Sequence, residues 1–333
     1  MYKRRKTWFA GILLLVLVVV FLLTRGTEAP TPNPPGTFSF AVLGDAPYYV
    51  WEDLQYRLVL QTLEAHDLNW VIDVGDIFWR PCSDELYLRN LERFNGLRHP
   101  VIYTPGDNEW TDCWEPRSGG FAPQERLSRI RQIFFDNPTR SLGGRSLSLV
   151  SQGNREPFGE FVENVRWFHD GIVFATVHLV GSTNGMKAFP ARTSADDLAA
   201  TRRTEAAAAW VRDTFAEART MNALAVVLSF HGNPSFEEPA DDPQRQAFEP
   251  FITVLEEEVE QFARPVLVAH GDHHVYTVDS PLVRRTTGRR LENLTRLQVP
   301  GSPEVGWVRV VVNPGAKTPF TFETHVIPRW KYW

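Results

Sequence analysis

The chain has 333 residues, of which 43% are hydrophobic and 23% charged, with a formal net charge of −5. This composition excludes long disorder and supplies a sizeable core, and the length fits one large body with long loops. No lysine and arginine cluster occurs downstream of the N-terminus, so a nucleic-acid polyanion is not an expected partner. A small anion fits if a metal supplies the positive charge locally.

Lys3, Arg4, Arg5 and Lys6 precede an uninterrupted apolar run from Trp8 to Leu23. The run lies at the short end of the ~17–25 residues that span a bilayer, and it overlaps the length of a signal-peptide core. Thr27-Glu28-Ala29, the nearest small-x-small pattern, is followed by Pro30, which argues against cleavage and for an uncleaved anchor. Under either reading the basic flank stays cytoplasmic and the rest is exported. The expected organisation is a cytoplasmic tail over 1–7, a transmembrane anchor over 8–24, a stiff proline-rich linker over 25–36 and one globular domain over 37–333. In an exported chain the only two cysteines, Cys82 and Cys113, are expected to be joined, with two unrelated buried thiols as the alternative.

The domain begins with a short apolar strand, Phe38 to Leu43, and a helix that carries Leu54, Leu58, Val59 and Leu63 on one side. A strand at Trp70 to Val74, a helix near Glu85 to Phe94, a strand at Val101 to Thr104 and a helix near Gln124 to Phe135 follow. Asp170-Gly171 signals a tight hairpin between strands at Phe161 to Phe168 and Ile172 to Val180. A long helix from about Ser194 to Ala218 leads to a strand at Ala223 to Phe230. Phe248, Phe251, Ile252, Leu255, Val259 and Phe262 form the best helical periodicity in the chain, ahead of a buried strand at Val266 to Ala269. Strands at Val275 to Val278, Trp307 to Val312 and Phe320 to His325 close the domain. Strands buried on both faces, with helices early and hairpins late, predict an α/β fold in which a mixed two-sheet sandwich is flanked by helices in four layers, behind an N-terminal transmembrane helix.

Polar residues recur at the strand ends. Three consecutive strands end in Gly44-Asp45, Gly75-Asp76 and Gly106-Asp107-Asn108-Glu109, and two later ones in His231-Gly232-Asn233-Pro234 and His270-Gly271-Asp272-His273-His274. Loops beyond strand carboxyl ends are where an open α/β sheet places its ligand site. Gathered together, these Asp, Asn and His side chains make an oxygen and nitrogen cage for divalent metal, and carboxylates at this density repel one another without a cation. Each alone is explained by turn and capping chemistry; the joint recurrence is not. His178 ends another strand in His178-Leu179-Val180-Gly181-Ser182-Thr183-Asn184, beside polar groups able to bind phosphate, although a hairpin histidine bonded to backbone is an equal reading. Tyr48, Tyr49, Trp51, Trp79 and Trp110 lie near these loops and could line a cleft. His66, His99, His169 and His325 lack this context.

From Gly44 to about His274 the chain resembles the calcineurin-like metallophosphoesterases, whose motifs are Asp-x-His, Gly-Asp, Gly-Asn-His with a following acid, a lone His and Gly-His-x-His. Asp45 matches the first aspartate, Asp76 the metal-bridging one, His231 the lone histidine and His274 the last. The departures are Pro47 for the first histidine, Asp107 for the metal-binding asparagine, Asn108 for the catalytic histidine, and Asp272, flanked by His270 and His273, for the first histidine of the last motif. Gly-Asp-Asn-Glu-Trp is similar to a divergent bacterial branch. The resemblance implies two divalent ions, with the oxygen-rich donors favouring manganese, magnesium or iron over zinc. Asp45, Asp76, Asp107, Asn108, His231, His270, Asp272 and His274 form the expected ligand pool, and Glu109 is expected to orient a histidine. It also implies hydrolysis of a small phosphoester by a hydroxide generated at the ions, with His273, His270 or His178 replacing the proton donor that Asn108 lacks. A phosphodiesterase or nucleotide pyrophosphatase, and a non-catalytic surface binding protein on the same fold, are the alternatives.

Overall fold

Every residue of β1 (Phe38–Leu43) is buried, so its two faces must enter two different apolar layers, assigned by the period of two. Phe38, Phe40 and Val42 pack with Trp70, Ile72, Phe174, Val227 and Leu267 in a layer between two sheets. Ala41 and Leu43 face the opposite way, onto α1 (Glu52–Glu64), α2 (Asp84–Gly96) and α3 (Pro123–Phe134), through Tyr56, Val59, Tyr87, Phe94, Ile130 and Phe134.

This computed structural model describes residues 31–328, so the expected tail and anchor lie outside the described residues. Among the described residues no helix is long and apolar enough to cross a membrane. The first sheet has the order β15-β14-β1-β2-β3-β4, from Phe320–Val326, Gly306–Val312, Phe38–Leu43, Val71–Asp73, Pro100–Tyr103 and Leu142–Gly143. The second has the order β10-β13-β9-β8-β7-β6-β5, from Thr277–Asp279, Leu294–Gln298, Val266–His270, Ala225–Ser229, Ile172–Thr176, Val165–His169 and Val150–Ser151. A two-stranded ribbon, β11 (Val283–Arg284) and β12 (Arg289–Arg290), stands apart. On the outside of the second sheet lie α4 (Ser194–Thr220) and α5 (Glu249–Phe262), which cover Val173, Val226 and Val268 with Trp210, Phe215, Phe251 and Leu255. The result is the expected helix, sheet, sheet, helix stack.

β1, β2 and β3 run parallel in one sheet, as do β7, β8, β9 and β13 in the other. Their carboxyl ends therefore carry two banks of loops, which the sandwich brings face to face.

Several details depart from expectation. The first strand of the Asp170-Gly171 hairpin is only Val165–His169, because the chain from Phe158 to Asn164 makes turns. α4 starts at Ser194 as expected but runs two residues further, to Thr220, and is capped by Thr193, whose N–H donates to the Asp196 carboxylate (2.9 Å). β13 was not expected; it enters the sheet because Arg296 is neutralised by Asp279 and Glu237. The described end of the linker lies along the domain: Thr31 N–H donates to the Ala65 carbonyl (3.0 Å) and the Asn33 amide to the Asp67 carbonyl (3.0 Å).

Candidate metal centre

Side chains from five strand ends converge. Asp45 follows β1, Asp76 follows β2, Asp107 follows β3, His231 follows β8, and Asp272 and His274 follow β9. Asp45, Asp76 and His231 each offer a ligand atom within 4.8 Å of the others, and so do Asp107, His231 and Asp272. His231 Nε2 lies 2.9 Å from Asp107 Oδ1, 3.4 Å from Asp76 Oδ1 and 3.9 Å from Asp272 Oδ1. His274 Nε2 lies 3.6 Å from Asp45 Oδ1. The residue common to both groups is His231. Asp76, expected to be shared, lies in the first group, and its Oδ2 accepts from the Tyr48 hydroxyl (2.6 Å) and the Asn108 amide (2.7 Å).

The local backbone explains how the ligands are aimed. Asp45, Asp76, Asp272 and His274 have φ of 56°, 57°, 77° and 62°. Non-glycine residues in this left-handed region cost about 1–3 kcal/mol each and collect at functional sites. Two glycines clear the space: a Cβ on Gly181 would strike the Asp107 and Asp272 carboxylates, and one on Gly271 would strike the Asp45 carboxylate. His231 Nδ1 contacts the Val74 carbonyl (3.0 Å) and His274 Nδ1 the Ser302 carbonyl (2.6 Å). Both bonds require a proton on Nδ1, which leaves each Nε2 lone pair facing the carboxylates.

The electrostatics call for a cation. Asp45 is fully buried, and burial lifts its carboxyl from 3.8 to about 6, against the pull of His231 and His274. Burial likewise pushes Asp76 well up and Asp272 up. Burial alone would lower His231, but Asp76, Asp107 and Asp45 outweigh it and hold the imidazole well above its ordinary value. Asp107 is the exception: although burial opposes ionisation, His231 and the Ser182 hydroxyl (2.8 Å from its Oδ2) hold its carboxyl below the usual range. Four carboxylates thus share a desolvated space with one buried histidine and one partly exposed one. The donor set is mainly hard oxygen, completed by imidazole nitrogen, and it fits divalent cations.

The expected site residues separate cleanly. Asp45, Asp76, Asp107, His231, Asp272 and His274 meet. Asn108 is beside them, and both its side-chain amide and its backbone N–H (3.0 Å) grip Asp76. His270 does not reach the cluster. It shares the face of Val266 and Val268, is fully buried, and stacks on Phe230 on the helix side of the sheet. His178 is also fully buried and bound to Glu163 (2.6 Å), so neither is placed to protonate a substrate. His273 is exposed at the rim, against the Asn233 amide (2.7 Å). Glu109 orients no histidine; it accepts from the Ile77 N–H (2.8 Å) and so braces the loop after Asp76. Cys82 and Cys113 are joined, tying that loop to the one after Asp107.

Three contributors lacked a clear sequence signal. The Tyr48 hydroxyl touches both Asp76 and His274 Nε2 (3.2 Å). Ser182 binds Asp107 from a turn whose residues Ser182, Thr183 and Asn184 are all left-handed. Asn233 donates its N–H to Asp272 Oδ2 (2.9 Å). Only their nearness to Gly-Asp or His-Gly punctuation hinted at them.

The calcineurin-like phosphoesterase family model matches residues 38–276. The chain belongs to that family. No curated protein matches the chain. A solved structure titled "Structure of PhoD" aligns over 86% of this chain at 13% identity with a TM-score of 0.51, and the chain spans 66% of that one, a likeness of fold. A second, TT1561 of Thermus thermophilus, aligns over 87% of this chain and 99% of its own at 11% identity, with a TM-score of 0.41.

Proposed function

We propose that this phosphoesterase hydrolyses a small, soluble phosphoester with two divalent ions. The observation that carries the reading is the convergence of three buried aspartates, Asp45, Asp76 and Asp107, and the partly exposed Asp272 on His231, with four members of the site held on left-handed backbone. His231 has one free lone pair, on Nε2 nearest Asp107 (2.9 Å), so it would serve one ion with Asp107 and Asp272, while Asp45, Asp76 and His274 would hold the other. Such ions lower the pKa of water and offset charge on phosphoryl oxygens. The chain's own part is orientation. Asn108 and Tyr48 fix one carboxylate oxygen of Asp76, Ser182 fixes one of Asp107, and the Asn233 N–H fixes one of Asp272.

Membrane anchoring and an extracytoplasmic location belong to the same proposal. The basic flank and apolar run motivate it, and the disulfide agrees with an oxidising compartment. Thr31 bonds to Ala65 and Asp67, at the end of the domain opposite the strand carboxyl termini. An anchor joined there would direct the metal centre away from the bilayer, toward soluble substrates. Protease added to cells stripped of any outer layer but with the cytoplasmic membrane intact should then cleave the domain, whether it is periplasmic or at the cell surface.

The catalytic reading is tested with Asp76→Asn, measuring bound metal by elemental analysis and turnover of an aryl phosphate. We expect metal loss and at least a hundredfold fall in kcat/KM, on the order of 3 kcal/mol. Full metal content with full activity would refute it.

A further inference from the structure

A cleft of about 470 Å3 opens beside the metal centre, lined by Asn233, Ser235, Glu238, Gln244, His273 and Thr277, among others. Asn233 ties the two together. Its N–H holds Asp272, its side-chain amide meets His273, and its Oδ1 accepts from the Ser235 N–H (3.0 Å). Ser235 is only 6% exposed and takes a left-handed φ of 52°. Among the described residues its hydroxyl has no hydrogen-bond partner, yet it lines the cleft. The hydroxyl is reached by solvent from the cleft, and a ligand that enters can take the place of that water as its partner.

The charge of the cleft narrows the ligand. Glu237 is engaged by Arg296, and Asp242 accepts from the Gln244 and Arg245 N–H groups. Glu238 is exposed at the rim and has no cationic partner among the described residues. The floor thus offers neutral donors and acceptors, and the rim is negative. A second phosphate would be repelled there, and a flat aryl group would leave the Ser235 hydroxyl and the Gln244 amide without partners.

Resting on the hydrolase reading, we infer that this cleft binds the alcohol half of the substrate, and that this alcohol is a neutral polyol of glycerol or sugar type. Sites built to hydrogen-bond a hydroxyl discriminate strongly against analogues that lack it.

The test uses the full chain in detergent with its metals. Glycerol phosphate, a hexose phosphate, an aryl phosphate and a nucleoside diphosphate are compared in the wild type, Ser235→Ala and Gln244→Trp. The ratio of kcat/KM for the hexose phosphate over the aryl phosphate should fall about tenfold in each variant, the loss expected of one hydrogen-bonding group. Glu238→Lys should raise relative use of the nucleoside diphosphate. Saturation-transfer NMR with free glucose and glycerol reads the same cleft without turnover, and the contact should vanish in Gln244→Trp, an exposed position whose enlargement fills the space. Unmoved ratios with no polyol contact would overturn the inference. Polyol contact without hydrolysis of any phosphate would overturn the hydrolase reading instead.

Discussion

Removing a charge from the metal centre should stabilise the metal-free protein. Asp45 is fully buried, and burial raises its carboxyl from 3.8 to about 6. A raised carboxyl contributes stability that is complete below the unfolded value near 3.8 and is lost as pH rises through about 6. A shift of roughly two units is worth about 3 kcal/mol. In chelator at pH 8, Asp45→Asn should therefore be more stable than wild type by up to about 3 kcal/mol, or several degrees in Tm. Asparagine keeps one oxygen to accept the Asp272 N–H that now bonds Asp45 (3.1 Å). The difference should disappear toward pH 4, where the wild-type carboxyl is itself protonated. Saturating divalent ion should reverse the order, because binding at a thousandfold excess over Kd adds about 4.1 kcal/mol to the wild type alone. Urea melts across this pH range, with and without metal, provide the assay. An Asp45→Asn protein no more stable than wild type at pH 8 in chelator would refute the argument that buried like charge dominates this site.

Other perturbations test neighbouring parts of the structure. Gly181→Ala places a methyl group against the Asp107 and Asp272 carboxylates, so bound metal measured by elemental analysis should fall; full occupancy would mean that those carboxylates do not face a common ion. Glu163 is buried, yet Arg131 and His178 outweigh burial and hold its carboxyl far below the usual range. Glu163→Gln should cost about 3 kcal/mol in urea melts near neutral pH, with the deficit shrinking as pH falls below about 4. Replacing both Cys82 and Cys113 by serine frees a loop of 31 residues in sequence separation, for which chain entropy predicts a loss of about 3–4 kcal/mol. Equal midpoints for the oxidised and double-serine proteins would show that the bridge constrains nothing.

Local punctuation made much of the site legible. Asp45, Asp76, Asp107, His231, Asp272 and His274 each follow an apolar strand at a Gly-Asp or His-Gly turn, and a turn of that kind is written within a few residues. The helices could be read wherever one face repeated, as it does from Phe248 to Phe262. Parity within β9 would have excluded His270. It alternates in step with Val266 and Val268, which face the helices, whereas Leu267 and Ala269 face the other sheet. Tyr48 and Ser182 were less legible, since what fixes their roles is contact across the sandwich, to His274 and Asp107, and Asn233 because its partner Asp272 comes from the loop after the neighbouring strand β9. β13 was hidden because Arg296 reads as a solvated charge until Asp279 and Glu237 are known to lie against it.

The site is held together by everything around it more than by its own members. Four residues sit in left-handed backbone at about 1–3 kcal/mol each, and three carboxyls are pushed upward by burial. Neither cost could persist in an isolated loop. Both are sustained because the loops start from strands in fixed register, β1 with β2 and β3 in one sheet and β8 with β9 in the other. The loops are then clamped by the disulfide, by Glu109 on the Ile77 N–H, and by Arg203 on the Asn184 side chain (2.7 Å). A cavity of anions pre-formed at the expense of folding stability is one whose binding free energy is greatest for a compact, highly charged cation. The same rigidity separates the two halves of the proposed chemistry. Metal ligation depends on strand register, which loop substitutions at Ser235 or Gln244 leave intact, so substrate preference can change on this scaffold without rebuilding its metal centre.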